Sequence, residues 1–203
     1  MTHFTPYAAL AGGALIGAAA VLLLWLNGRI AGVSGIAAGL WFSARGERLW
    51  RLLFLVGLVA GCGAWVLLSG EPALRRSGFP VWALLLAGLL VGYGTSLAGG
   101  CTSGHGVCGV ARLSWRSLAA IGFRVVLRRP APLWDDRFHL SLRHRIDAPL
   151  LLGSALFCMG WGLAGYCPGP AIASLGLGNA EVLWFVPAMV AGAALQRWQA
   201  RPA

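Results

Sequence analysis

The chain is 203 residues long, 58% of them hydrophobic and only 11% charged, with a mean hydropathy of +0.74. A soluble domain would need about a quarter of its residues charged to cover its surface, so the composition excludes one and favours apolar blocks crossing a hydrocarbon core of about 30 Å. The net charge of +10 comes from 16 basic residues, all arginine, against 6 acidic ones; because the arginines fall in short connections between apolar blocks, membrane orientation accounts for them and nucleic acid does not.

The first apolar block, residues 7–26, holds Gly12, Gly13 and Gly17 among Ala and Leu, the small residues that let membrane helices approach closely. It is long and runs into Asn27-Gly28-Arg29 with no small-residue cleavage site, so it reads as a retained segment and not a signal peptide. The chain breaks over residues 27–35 and continues as a short apolar stretch to Phe42. A basic turn with Arg45, Glu47, Arg48 and Arg51 leads to the second block, 52–68. A connection carrying Glu71, Arg75, Arg76 and two prolines leads to the third, 81–98. Residues 99–109 are too glycine-rich for a stable helix, and 110–123 are predicted to form a short one. The polar segment 124–149 contains six arginines, two histidines and three aspartates and reads as a cytoplasmic loop. The fourth block, 150–164, is broken by Gly165-Tyr166-Cys167-Pro168-Gly169-Pro170, and a final block, 182–195, ends in Arg197 and Arg201.

The prediction is an all-α polytopic membrane protein with about five crossings, plus short re-entrant half-helices after the glycine-rich breaks. Its expected organisation is a first membrane half (1–123), a basic cytoplasmic loop (124–149) and a C-terminal membrane segment (150–203). The arginines place the 45–51 turn, the 112–145 region and the C-terminus inside, and the N-terminus, the 70–80 connection and the loop at Glu181 outside.

An internal repeat marks the breaks. Gly94-Thr95-Ser96-Leu97-Ala98-Gly99-Gly100-Cys101 and Gly160-Trp161-Gly162-Leu163-Ala164-Gly165-Tyr166-Cys167 share residues at five of eight places, and Ile30-Ala31-Gly32-Val33-Ser34 is a weaker third copy with serine in place of cysteine. Each copy sits where an apolar block stops, and each is followed by a second short apolar stretch. Irregular backbone survives at membrane depth only where it is buried in protein or lines a cavity, and paired interrupted segments point to a transport site. Glycines such as Gly99 and Gly165 permit the turn, and the half-helix that follows offers free N–H groups and a positive dipole end to an anion. A thiol is a weak hydrogen-bond donor with a soft, polarizable sulfur. Cys101, Cys167 and Ser34 are therefore candidate contacts for a soft, sulfur-bearing anion.

Other readings of the cysteines remain open at this level. Cys101, His105 and Cys108 have the spacing C-x3-H-x2-C, which supplies three ligands and needs Cys167 to complete a tetrahedral metal site; binding without metal or cofactor is preferred. A cysteine of lowered pKa at a helix start could carry a persulfide to a cytoplasmic sulfurtransferase, but His105 is the sole acid–base partner in view, so no catalytic residue is assigned. Cys62 and Cys158, mid-block, are expected to be packing residues, and all five cysteines are expected as free thiols.

The stretches 27–36, Gly100-Cys101-Thr102-Ser103-Gly104-His105-Gly106-Val107-Cys108-Gly109-Val110-Ala111-Arg112-Leu113-Ser114 and Gly160 to Ala171 resemble the signature motifs of the bacterial YeeE/YedE sulfur-transport family. That resemblance implies uptake of thiosulfate or a related sulfur anion across the inner membrane, the anion being handed along by thiol hydrogen bonds from cysteines matching Cys101 and Cys167. His105 and Cys108 fall inside the matched stretch. In some members the two motifs belong to separate halves, the second opening with further membrane segments and its own glycine-rich break. Here only 124–149 lies between them, so the resemblance implies that a second copy of the chain or a partner membrane subunit completes the pore.

Overall fold

The computed structural model describes residues 6–29, 32–42, 45–69, 78–101, 118–136, 138–139 and 147–200. Among these the chain forms helices α1 (Pro6–Asn27), α2 (Val33–Phe42), α3 (Arg45–Ser69), α4 (Val81–Leu97), α5 (Leu118–Leu127), α6 (Ala148–Ala164), α7 (Pro168–Ala173) running into a 3-10 turn (Ser174–Leu177), and α8 (Val182–Gln199). Helices α1 and α3 are long and apolar enough to cross a membrane. α6 and the α7 segment pass the same test together although bent by 45° at their break, and α2 and α4 are shorter apolar helices. The protein is an all-α polytopic membrane protein.

One boundary departs from expectation. The basic turn at 45–51 is helical, the opening of α3. Glu47 and Arg51 lie one helical turn apart, and Arg51 Nη2 donates to Glu47 Oε2 at 2.8 Å. A pair at that spacing, with its acidic member toward the positive helix end, favours helix over turn. The polar segment is likewise shorter than its composition suggested. α5 runs into it as far as Leu127, and at its other end the Asp147 carboxylate accepts from Leu150 N at 3.1 Å to cap α6.

The chain divides into two compact units. The first comprises Met1–Gly32 and Thr102–Arg143. Its core is Ala20 and Leu24 of α1 against Phe123 and Val126 of α5. The end of α1, which would leave carbonyls unanswered, receives Leu133 N on Trp25 O at 3.1 Å, Trp134 N on Leu26 O at 2.9 Å, and His139 N on Gly28 O at 2.8 Å. Asp135 sits there between Arg29, at 3.8 Å, and His139, at 3.0 Å.

The second unit comprises Val33–Cys101 and His144–Ala203 and is built on α4. α6 packs antiparallel to it, Gly94 meeting Gly153 and Ala87 meeting Gly160. α8 packs parallel to it, Gly88 meeting Phe185 and Gly92 meeting Met189. The backbones touch at Gly92, where any side chain would collide with the Met189 carbonyl. Leu84, Ala87 and Val91 of α4 join Ala164, Ala171, Ile172, Val182, Phe185 and Met189 in the core, while Trp82, Leu85, Leu86, Leu152, Leu183 and Trp184 face outward. In lipid such outward apolar side chains need no partner. Cys158 belongs with them, exposed and not packed as expected, because Gly153 and Gly160 take the inner face of α6.

Candidate functional site

Both cysteine copies end a helix within the second unit, and the third copy runs into the start of α2 there with Val33 and Ser34. After α4, Gly99 takes φ 76°, a left-handed turn natural to glycine, and Gly100 N donates back to Thr95 O at 2.9 Å. Cys101 follows at once and is buried. After α6, Gly165 takes φ 72° and closes onto Trp161 O, and Cys167 is the N-cap of α7, half-buried. Ser34 is the second residue of α2 and is buried.

The Ser34 copy approaches both of the others, meeting the helix before the Cys101 break and the helix after the Cys167 break. Ser34 Oγ and Thr95 Oγ1 are 2.7 Å apart in a buried hydrogen bond, joining the serine copy to the Cys101 copy. Thr95 also donates to Gly92 O at 3.1 Å. Gly169, two residues past Cys167, faces Val33, the neighbour of Ser34, with room for a methyl group at 3.7 Å. Thr95 was invisible as a site residue: it lies inside the repeat, but only the fold shows that its hydroxyl meets Ser34.

Beside this junction lies a cavity of about 330 Å³ lined by Ser34, Gly35, Ala38, Thr95, Ser96, Gly99, Gly100, Ala193, Gln196 and Arg197. Among helices this apolar, a pocket of hydroxyls, glycine backbone, an amide and a guanidinium is a chemical exception. Arg197 stands over the Phe42 ring, 5.3 Å from its centroid. The second nearby cation, Arg51, is buried, donates through Nη1 to Gly35 O at 3.3 Å and through Nη2 to Glu47, and occupies the space a side chain at Gly39 would need. Its Nε has no hydrogen-bond partner among the described residues. Read from the sequence, both arginines looked like orientation charges only.

The Cys167 break has a different setting. Tyr166 OH donates to Glu181 Oε2 at 3.1 Å and accepts from Asn179 Nδ2 at 2.9 Å. Glu181 Oε1 accepts from Phe79 N at 3.0 Å, and Glu181 N donates to Asn179 Oδ1 at 3.2 Å. Glu181 is buried, although its place in a predicted outer loop suggested solvent. The carboxylate thus ties the residue beside Cys167 to the chain entering α4.

His105 and Cys108 lie outside the described residues, and so does the stretch after Cys101 where a second half-helix was expected. Among the described residues no three His, Cys, Asp or Glu side chains converge as a metal group.

Two family models match the chain. One, described as sulphur transport, covers residues 3–126; the other, described as a family of unknown function (DUF6691), covers residues 81–201. A "Probable transporter" of Xylella fastidiosa (strain 9a5c) is 45% identical over 111 residues, which are 54% of this chain and 79% of that protein. Another "Probable transporter", from Xylella fastidiosa (strain Temecula1 / ATCC 700964), is 41% identical over 121 residues, 53% of this chain and 82% of that protein. "Thiosulfate transporter TsuA" of Spirochaeta thermophila is 42% identical over 77 residues, 36% of this chain but 23% of that protein. No solved structure matches. The first model takes in the Ser34 copy and the Cys101 break, and it spans well over half of the sequence. The chain belongs to the sulphur transport (YeeE/YedE) family.

Proposed function

We propose that the protein imports thiosulfate, or a closely related small sulfur anion, across the bacterial inner membrane through a constriction lined by Cys101 and Cys167. The observation that supports this reading is the Cys101 break: a buried thiol on irregular backbone, directly after a polar cavity, inside an otherwise apolar helical unit. Backbone of that kind is stable at membrane depth where it lines a route for a polar solute. Thiols suit the task because their hydrogen bonds are weak, so an anion is recognised without being trapped. The similarity to the thiosulfate transporter of Spirochaeta thermophila supports the choice of substrate. Gly99 and Gly165 set the turns that present the two cysteines, Ser34 supplies a hydroxyl, and His105 and Cys108 extend the same stretch. The protein is then a carrier and not an enzyme, and a second copy or a partner subunit completes the pore.

Uptake of radiolabelled thiosulfate by cells lacking other importers tests this. Expression of the wild-type chain should restore uptake, and Cys101→Ala or Cys167→Ala should return it to background. Uptake that survives both substitutions together would remove the cysteine route. Mass spectrometry of the purified protein separates this reading from a persulfide relay, which requires a sulfur adduct on Cys101 or Cys167.

A further inference from the structure

We propose that the cavity between the last turns of α4 and α8 is an anion-binding site in its own right, in which Arg197 recognises a divalent sulfur oxyanion before or after it meets the cysteines. The inference rests on the sulfur-anion reading for the class of ligand; the site itself rests on charge and geometry.

The charges around the cavity do not balance. Arg51 is answered by Glu47 at 2.8 Å. Arg197 lines the cavity, bears the influence of the Arg51 charge, and pairs with no carboxylate among the described residues. A guanidinium carries five N–H donors in a planar fork that fits two oxygens of an oxyanion side by side. Its contact with the Phe42 face, 5.3 Å from the centroid, uses none of those donors. A half-buried guanidinium beside a polar cavity can take an anion as its counter-charge, and the cavity, about 330 Å³, is about tenfold the roughly 30 Å³ share of a single water, leaving room for a partly hydrated anion.

The neutral groups complete the recognition. Gln196 brings two amide N–H donors into the lining. The Ser34–Thr95 pair is adaptable, since either oxygen can be the donor. Thr95 donates to Gly92 O, which leaves Ser34 as the donor to Thr95. If Thr95 turns its proton to Ser34 instead, the Ser34 O–H is released to point at an anion. Gly99 and Gly100 form the wall next to Cys101, so an anion held here sits one residue from the proposed thiol route.

Isothermal titration of the purified full-length protein in detergent with sodium thiosulfate, sodium sulfate and sodium chloride tests the site. The wild-type protein should bind both divalent oxyanions in preference to chloride. Arg197→Gln should weaken oxyanion binding about tenfold or more, the scale of a lost charge-assisted hydrogen bond, and Arg197→Lys should fall between, because lysine keeps the charge and loses the fork. Tyr93→Phe, which removes a hydrogen bond to Gln199 at the same helix end, should bind like wild type and shows that local disturbance alone does not cause the loss. Equal affinity of wild type and Arg197→Gln, or no oxyanion binding by the wild type, overturns the proposal. Cys101→Ala keeps the two readings apart: it should bind oxyanion in the titration yet fail in uptake. Uptake by Arg197→Gln at wild-type apparent affinity would sink the cavity and leave transport standing. Binding without any wild-type uptake would do the reverse.

Discussion

The breaks after α4 and α6 share five of eight residues, yet the fold puts them in opposite electrostatic settings. The first opens beside a cavity with three hydroxyls and an arginine that meets no carboxylate among the described residues; the second is lashed by a buried carboxylate to the chain that enters α4. One local motif, a left-handed glycine and a cysteine just past it, therefore serves both. What differs is the side chains supplied by α8, Arg197 at its end and Glu181 at its start. Cations favour the negative end of a helix and anions the positive end, so a helix running parallel to α4 delivers opposite charges to the two levels. On the proposals above, the first break holds an anion beside its cysteine, while the second has its cysteine's neighbour tied into the scaffold.

The largest expected effect strikes what both breaks share. Gly92→Val drives a side chain into the Met189 carbonyl and pushes α8 off α4. Overpacking of this kind costs about 1–3 kcal/mol where side chains can move, and the upper end or beyond is expected where the obstacle is backbone. Size-exclusion thermostability should show the melting transition falling sharply or the folded peak vanishing, and a variant as stable as wild type would mean that the two helices are not in contact there.

Glu181→Ala separates the breaks. It strips acceptors from Phe79 N and Tyr166 OH together, and a buried group left unsatisfied costs about 1–3 kcal/mol. Alkylation by a maleimide should accelerate at Cys167, whose neighbour is released, and stay unchanged at buried Cys101. Equal acceleration at both would show that the carboxylate supports the whole unit and not one loop. Glu181→Gln, which keeps one carbonyl acceptor, should lie between.

Ser34→Ala acts on the other break and more gently. Thr95 retains Gly92 O as an acceptor, so the loss is one buried hydrogen bond, about 1 kcal/mol. The folded protein should survive, with Cys167 alkylation unchanged. A destabilisation as large as that of Glu181→Ala would mean that the hydroxyl pair is structural and that the contrast between the breaks is wrong.

The elements were legible because apolar blocks, Gly and Pro carry most of the information in a membrane chain. The Pro168 start of α7, the Gly165 stop of α6 and the short helix after the Ser34 break all follow from local rules. The repeat exposed Cys101, Cys167 and Ser34 for the same reason. Thr95, Gln196, Arg197 and Glu181 were not legible as site residues, since their meaning lies in pairings between residues 15 to 102 positions apart or in a shared cavity. Arg45 to Arg51 misled because basic residues at a membrane boundary suggest a turn, while the Glu47–Arg51 spacing made them helical.

The smallest effect belongs to the first unit and serves as a boundary to the comparison. Burial pulls the Asp135 carboxyl upward, but the Asp136 N–H, His139 and Arg29 outweigh it and hold the carboxyl below its ordinary value of 3.8. A group whose folded pKa lies below its unfolded one stabilises the fold above the unfolded value and loses that contribution as pH falls through the folded one. The contribution is therefore intact at neutral pH and disappears below about pH 4, the ordinary carboxylate range. Because Asp135 is largely solvated and exposed pairs are weak, the slope should be shallow. Thermal melts of Asp135→Asn from pH 7 to pH 3 should lose part of the acid-side decline seen in wild type, with oxyanion binding at neutral pH unaltered. If the variant instead abolishes binding, the contacts that tie Arg29 and His139 to Asp135 serve binding as well, and the division of labour cannot be confined to the two breaks.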